Sequence, residues 1–204
     1  MTMTITELKP ARKKLTIVYI DGEYYGKLDT QTLEEKCIKA GAQLDDEQLG
    51  QLARESEYRR AKEKALWLLS VRDHAKGELE TKLRKEASPE TAAAVCDRME
   101  ELGLLDDEGY ARRLARELVY TKRMSAKGAL YKLMQKGIDK ELAEAVINEL
   151  DVDPVDQIVE LIDRKYASKL SDEKDRRRTV AALQRLGYSW SDISTAIGIY
   201  EEDY

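Results

Sequence analysis

His74 is the chain's one histidine, and Cys37 and Cys96 are its two cysteines. Clustered, such residues could ligate a metal or activate a nucleophile. A single imidazole excludes a multi-histidine centre, and the cysteines lack the C-x-x-C spacing of zinc and redox sites. His74 lies in R-D-H-A-K-G without an evident Asp or Ser partner and is expected to be a solvated loop residue. No G-x-x-x-x-G-K-[ST] loop is present to cradle a nucleotide's phosphates. The abundant carboxylates fall at helix-surface and capping positions. The reading is a non-enzyme, with no catalytic, metal or cofactor-binding residue to name.

Positive charge is more informative. Between Tyr110 and Ile138 the chain carries Arg112, Arg113, Arg116, Lys122, Arg123, Lys127, Lys132 and Lys136 against one acid, Glu117. A second window, residues 164–185, includes Arg176, Arg177 and Arg178 and holds eight basic residues against Asp172, Glu173 and Asp175. The whole chain has a net charge of −5, so the acidic balance lies elsewhere: the N-terminal segment, the last helix of each repeat and the closing E-E-D-Y. Arg112 with Arg116, and Lys132 with Lys136, are four apart and share a helix face, where like charges repel slightly. Two readings stay open. These are solvated helix faces, or they form a positive ridge that meets an acidic protein surface or phosphates. The consecutive Arg176, Arg177 and Arg178 cannot all join one ridge, because successive helical residues lie about 100° apart.

The elements that must position these residues repeat. Leu83, Leu133 and Leu183 recur at equal spacing, each inside a similar helical phrase: E-L-E-T-K-L-R-K-E-A, A-L-Y-K-L-M-Q-K-G and T-V-A-A-L-Q-R-L-G. A period of this length marks stacked supersecondary units, which usually present a surface to a large partner. Each unit reads as three helices. Ser88-Pro89 opens one, Asp106, Asp139 and Ser189 are N-caps, Pro154 starts another, and Gly137 and Gly187 are left-handed stops. The expected fold is all-α: an elongated array of three tandem three-helix repeats at 58–105, 106–152 and 153–204, preceded by a small β-hairpin segment at 1–57.

In that N-terminal segment, Leu15 to Ile20 and Glu23 to Leu28 flank Asp21-Gly22, a strong signal for a two-residue type I′ hairpin. Ile5 to Lys9 can add a third strand ending before Pro10. Two short helices follow, Thr32 to Ala40 and Asp46 to Arg54. The segment shows no chemistry and reads as a structural lid or docking module. Trp67, among Leu66, Leu68 and Leu69, is expected in the core, and Trp190 is expected to pack. Tyr24 and Tyr25 should point to opposite faces of a strand, leaving one exposed. No RNP-type aromatic platform for single strands is evident. Residues 1–9 lack the apolar core of a secretory signal, and no run reaches the roughly 20 apolar residues that span a bilayer, so the expectation is a cytoplasmic protein.

L-G-L-L-D-D-E-G-Y-A at 102–111, followed by L-M-Q-K-G-I at 133–138, resembles the central signature of the RecX family. R-R-R-T-V-A-A-L-Q-R-L-G-Y-S-W-S-D-I at 176–193 is similar to that family's closing repeat, and the hairpin followed by E-Y-R-R-A-K-E-K-A-L to an N-terminal extension of some members. Two departures stand out. Ala75 replaces a serine that often caps the second helix of the first repeat, with Asp73 as a substitute cap. Tyr110 and Tyr188 stand where the family commonly has Phe, and each brings a hydroxyl that must reach water or a partner. The resemblance implies a monomeric negative modulator of the recombinase RecA. It would bind RecA filaments on single-stranded DNA and lower ATPase, strand-exchange and co-protease activity. The array would lie along the filament groove, blocking duplex entry, or would stop growth at an end. The alternative is a helical-repeat protein that binds DNA directly, without RecA.

Overall fold

The computed structural model describes residues 2–203. The chain divides into two compact units, Met1–His74 with Leu79–Leu105, and Ala75–Glu78 with Asp106–Tyr204.

In the first unit, β1 (Thr2–Ala11), β2 (Leu15–Ile20), β3 (Glu23–Asp29) and β4 (Gln43–Asp45) form an antiparallel sheet of order β3-β2-β1-β4. Asp21 and Gly22 both have positive φ, 51° and 88°, as a type I′ turn requires. The sheet is larger than the hairpin foreseen. β1 continues through Pro10, and β4, which carries no sequence signal, pairs with Thr2–Thr4 only. Pro10 therefore sits where β1 is an edge strand, the place in a sheet that tolerates a missing N–H.

α1 (Thr30–Glu35) is shorter than expected, and α2 (Asp46–Val71) does not stop at Arg54 but is one helix of 26 residues. A capping box between Asp45 and Gln48 starts it, and no proline interrupts it. At 1.5 Å per residue it spans roughly 39 Å, long enough to serve two cores. Leu49 and Leu52 join Ile5, Val18, Ile20, Leu28 and Leu33 beneath the sheet. Further along, Ala61, Ala65 and Leu68 join Leu83, Val95 and Met99. The division expected between Glu57 and Tyr58 thus falls inside α2, where it changes cores. There Ser56, fully buried, accepts a 2.7 Å hydrogen bond from the Asp29 amide. α3 (Lys76–Leu83) and α4 (Pro89–Glu101) complete the first repeat, with Ser88 capping α4. Leu102, at the end of α4, is 45% exposed, and Leu105 is buried.

In the second unit, α5 (Asp107–Arg116) widens into a π-helical turn at Glu117–Thr121, followed by α6 (Ala126–Gln135) and α7 (Lys140–Asn148). α8 (Pro154–Leu161) likewise widens at Ile162–Tyr166 and ends in a 3₁₀ turn, before α9 (Glu173–Arg185) and α10 (Trp190–Asp203). The first helices of the second and third repeats thus share one distortion. Leu83, Leu133 and Leu183 are all fully buried, as the period demands. Asp106, Asp139 and Ser189 accept from amides of their following turns. Ala75 is itself fully buried, and the Lys76 amide donates to Asp107 Oδ1 at 2.8 Å, so α5 supplies a cap to α3.

Glycines set the spacing inside this unit. Gly137 and Gly187 close α6 and α9 at φ 85° and 95°. A Cβ on Gly187 would lie 2.7 Å from Gly128 Cα, and one on Gly137 would lie 2.5 Å from the Glu78 amide nitrogen. The end of each second helix therefore abuts the first turn of the second helix of the preceding repeat. The Ser125 amide, donating to the Leu186 carbonyl at 3.0 Å, reinforces the α9–α6 junction.

Tyr188, 4% exposed, places its hydroxyl 3.0 Å from both the Arg123 carbonyl and Gln157 Oε1, while Gln157 Nε2 donates to the Val119 carbonyl. The second and third repeats are tied by this buried network. Burial pushes the Tyr188 phenol up to about 12. Its neutral form is favoured in the folded protein, so the stabilisation is complete below the ordinary phenol value near 10 and is lost as pH rises toward 12. Urea denaturation of wild type and Tyr188→Phe should show wild type the more stable at pH 8, with the difference shrinking or reversing above pH 11. A difference independent of pH would contradict this account.

Candidate interaction surface

His74, expected to be solvated, is buried. Nε2 lies 2.8 Å from the Lys82 ammonium, which can only donate, so Nδ1–H donates to the Arg72 carbonyl at 2.9 Å. The imidazole is used structurally. Cys37 is exposed and Cys96 buried in the first repeat's core. Among the described residues no group of three His, Cys, Asp or Glu side chains is arranged to hold a metal. A groove of about 600 Å³ beside α1, α2 and α4 is lined by Arg59, Glu35 and Glu55, with Arg59 paired to Glu35 and Asp29, and Lys36 to Glu55.

The basic residues separate into two groups. Arg112 grips Glu149, the residue that follows α7, through Nε (3.1 Å) and Nη2 (3.2 Å) and also meets Glu108 at 2.7 Å. Its pKa is raised by Glu149 first and Glu108 second, and Arg112 in turn lowers that of Glu149. Lys122 pairs with Glu117, Arg123 with Glu160, Arg176 with Glu201, Arg177 with Glu173 and Arg178 with Asp175. Glu108, Glu149, Glu160 and Glu201 lie outside the basic windows in sequence and fold back onto them, while Glu117, Glu173 and Asp175 pair within them. The clustering of Arg112 with Arg116 has an internal answer in Glu149.

The second group is on and near α6. Among the described residues Lys127, Lys136 and Arg116 form no ion pair, and Lys132 meets only the neutral Gln135, at 3.1 Å. Arg113, on α5, is exposed. Sequence reading overlooked the apolar side chains set among these lysines, Tyr131 at 62% exposure and Met134 at 42%. Lys127, Tyr131 and Met134 fall at i, i+4 and i+7, one helical face, while Lys132 and Lys136 lie further round the exposed surface of the helix. An exposed aromatic and a methionine beside Lys127, with more lysine charge further round the helix, match the composition of a protein interface, with an apolar centre and a charged border. Its signal was the same 3.6-residue period, applied to the outward face of α6.

Both tryptophans depart from expectation. Trp67 is 59% exposed on α2, with Lys64 Nζ 5.2 Å from its ring centroid, and Trp190 is 62% exposed at the start of α10. Tyr24 and Tyr25 are both exposed, not one of the two.

Family comparison covers each repeat. Residues 61–99 match the model of the RecX first three-helix domain, 106–147 that of the second and 151–197 that of the third. The chain is similar to Regulatory protein RecX of Clostridium tetani, 27% identical over 201 residues, which covers 96% of this chain and 92% of that one. It is 29% identical to Regulatory protein RecX of Bacillus subtilis over 195 residues, 91% of this chain and 73% of the relative. A solved structure described as regulatory protein RecX superposes with a TM-score of 0.61 at 18% identity, covering 96% of this chain and 99% of the other. RecX from Lactobacillus salivarius gives 0.59 at 24% identity over 71% and 97%. With all three of its repeats matched in order, the chain belongs to the RecX family of regulatory proteins.

Proposed function

We propose that this protein is a negative modulator of RecA, which binds RecA filaments on single-stranded DNA and lowers their ATPase, strand-exchange and co-protease activities. The observation that carries this reading is the match of three consecutive three-helix domains to a family of regulatory proteins. The α6 face suits it: Tyr131 and Met134 are the anchors, and Lys127, Lys132, Lys136 and Arg116 steer the protein toward an acidic subunit surface or the filament's phosphates. Arg112, Lys122, Arg123 and Arg176–Arg178, held by internal carboxylates, take a secondary part. The protein acts as a cytoplasmic monomer in this reading; among the described residues no helix is long and apolar enough to cross a membrane.

Direct duplex reading by helix-turn-helix-like units, independent of RecA, fits the repeats less well. The last helix of each repeat, the one such a unit sends into the major groove, is acid-rich: α4 has Glu90, Asp97, Glu100 and Glu101 against Arg98, and α10 has no basic residue. The decisive measurement is DNA-stimulated RecA ATPase with increasing amounts of this protein. Inhibition that saturates at substoichiometric or stoichiometric ratio is expected. An unchanged rate at a large excess, under conditions where filaments form, would sink the proposal.

A further inference from the structure

The N-terminal sheet joins two features that the sequence keeps apart. Residues paired directly across antiparallel strands share a face, and Tyr19 pairs with Tyr24 while Ile17 pairs with Lys27. Tyr19 and Ile17 are two apart on β2, so all four residues share the outer face, opposite the buried Val18 and Ile20. The odd spacing from Tyr24 to Lys27 works because a β-bulge at Val18/Tyr19 inserts one extra residue into β3. Tyr19 and Tyr24 meet edge to face with ring centroids 6.1 Å apart, and Lys9 Nζ lies 4.7 Å from the Tyr19 centroid. Tyr24 remains 60% exposed.

Lys27, roughly 10 Å along β3 from Tyr24, is also part of the wall of a groove of about 670 Å³. Arg12 and Lys13 of the β1–β2 turn and Arg60 and Lys64 of α2 line the same groove. Among the described residues Arg12, Lys13, Lys27 and Arg60 form no ion pair. The facing acids Glu63 and Glu86 lie 3.8 Å from Lys14 and Lys64, and Asp29 is buried, capping α1. The groove therefore presents uncompensated positive charge beside an open aromatic ring.

We propose that this groove and sheet face form a binding site for single-stranded nucleic acid, with phosphates along Arg12, Lys13, Lys27 and Arg60 and a base stacked on Tyr24. Aromatic rings flanking a cationic track are what sequence-tolerant single-strand binding requires, since every base has a π-face to stack. A duplex hides those faces. The site needs no contact with RecA and stands independently of the modulator reading.

The test is fluorescence anisotropy of the full-length protein with labelled oligothymidylate, without RecA, at several salt concentrations. Tyr24→Ala is expected to weaken binding about tenfold with an unchanged salt slope, and Tyr24→Phe to stay within about twofold of wild type. The double variant Lys27→Gln/Arg60→Gln should reduce the slope of log K against log salt by about 1.4, two phosphate contacts at roughly 0.7 each. Thermal melting checks each fold; if Tyr24→Ala melts early, Tyr24→Phe and the charge variant decide. No binding by wild type, or wild-type affinity and slope in Tyr24→Ala and the charge variant, overturns the site. Equal affinity for a duplex of the same length also overturns it, as does competition by polyglutamate that is insensitive to the charge variant.

Discussion

Alanine at Gly187 is expected to destabilise the second unit by about 3–4 kcal/mol, far more than any surface change in the chain. Two costs add. At φ 95° an L-residue is in the left-handed region, a penalty of about 1–2 kcal/mol. The new Cβ would also sit 2.6 Å from Ser125 Oγ, 2.7 Å from Gly128 Cα and 2.9 Å from the Gly128 nitrogen. The serine hydroxyl can rotate away, but backbone cannot, so α6 and α9 must separate, at a further 1–3 kcal/mol or so by the usual cost of overpacking. Gly137→Ala repeats the argument against Gly77 and Glu78. Gly103 separates the two costs: its φ is 68°, yet a Cβ there would meet nothing within 4 Å, so Gly103→Ala should lose only about 1–2 kcal/mol. Native-state hydrogen exchange at the α6, α9 and α4 amides gives the three values. Equal losses at Gly187 and Gly103 would show that close approach plays no part.

These glycines mark how far the sequence could be read. Capping residues, the Asp21-Gly22 turn and the leucines at 83, 133 and 183 were legible because each depends on a few neighbouring residues or on a period. That Gly137 and Gly187 would end helices was equally local. That both also touch another helix is a contact between residues about sixty positions apart, which no local pattern encodes. The misread elements share this cause. α2 loses its apolar period across Arg54–Glu57 because it is changing cores there, and the polar stretch looked like a boundary. Trp67 is flanked by leucines, yet a turn of about 100° separates it from the buried Leu68 and carries it into solvent. The basic windows are plain in the sequence, but Arg112 is matched by Glu149, thirty-seven residues away. The aromatic sheet face required the bulge in β3, whose extra residue no alternation rule predicts.

The outward face of α6 yields the second large effect. If Tyr131 anchors the RecA contact, Tyr131→Ala should raise the concentration needed for half-maximal inhibition of RecA ATPase about thirtyfold, the equivalent of about 2 kcal/mol. Tyr131 is 62% exposed, so its removal leaves the second repeat's core, Ala129 and Leu133 included, untouched. Wild-type melting should accompany the loss. Neutralising Lys127, Lys132 and Lys136 together should act differently, slowing association and flattening the salt dependence more than it shortens the lifetime of the complex. Arg112→Gln is the contrasting case. Its guanidinium is engaged by Glu149 and Glu108, so its removal should change inhibition by less than about threefold despite its place in the most basic window of the chain. Stopped-flow association and steady-state ATPase on the same variants separate these outcomes. Full inhibition by Tyr131→Ala with loss in Arg112→Gln would move the contact from α6 to α5, and would mean that the filament outcompetes Glu149 for that arginine.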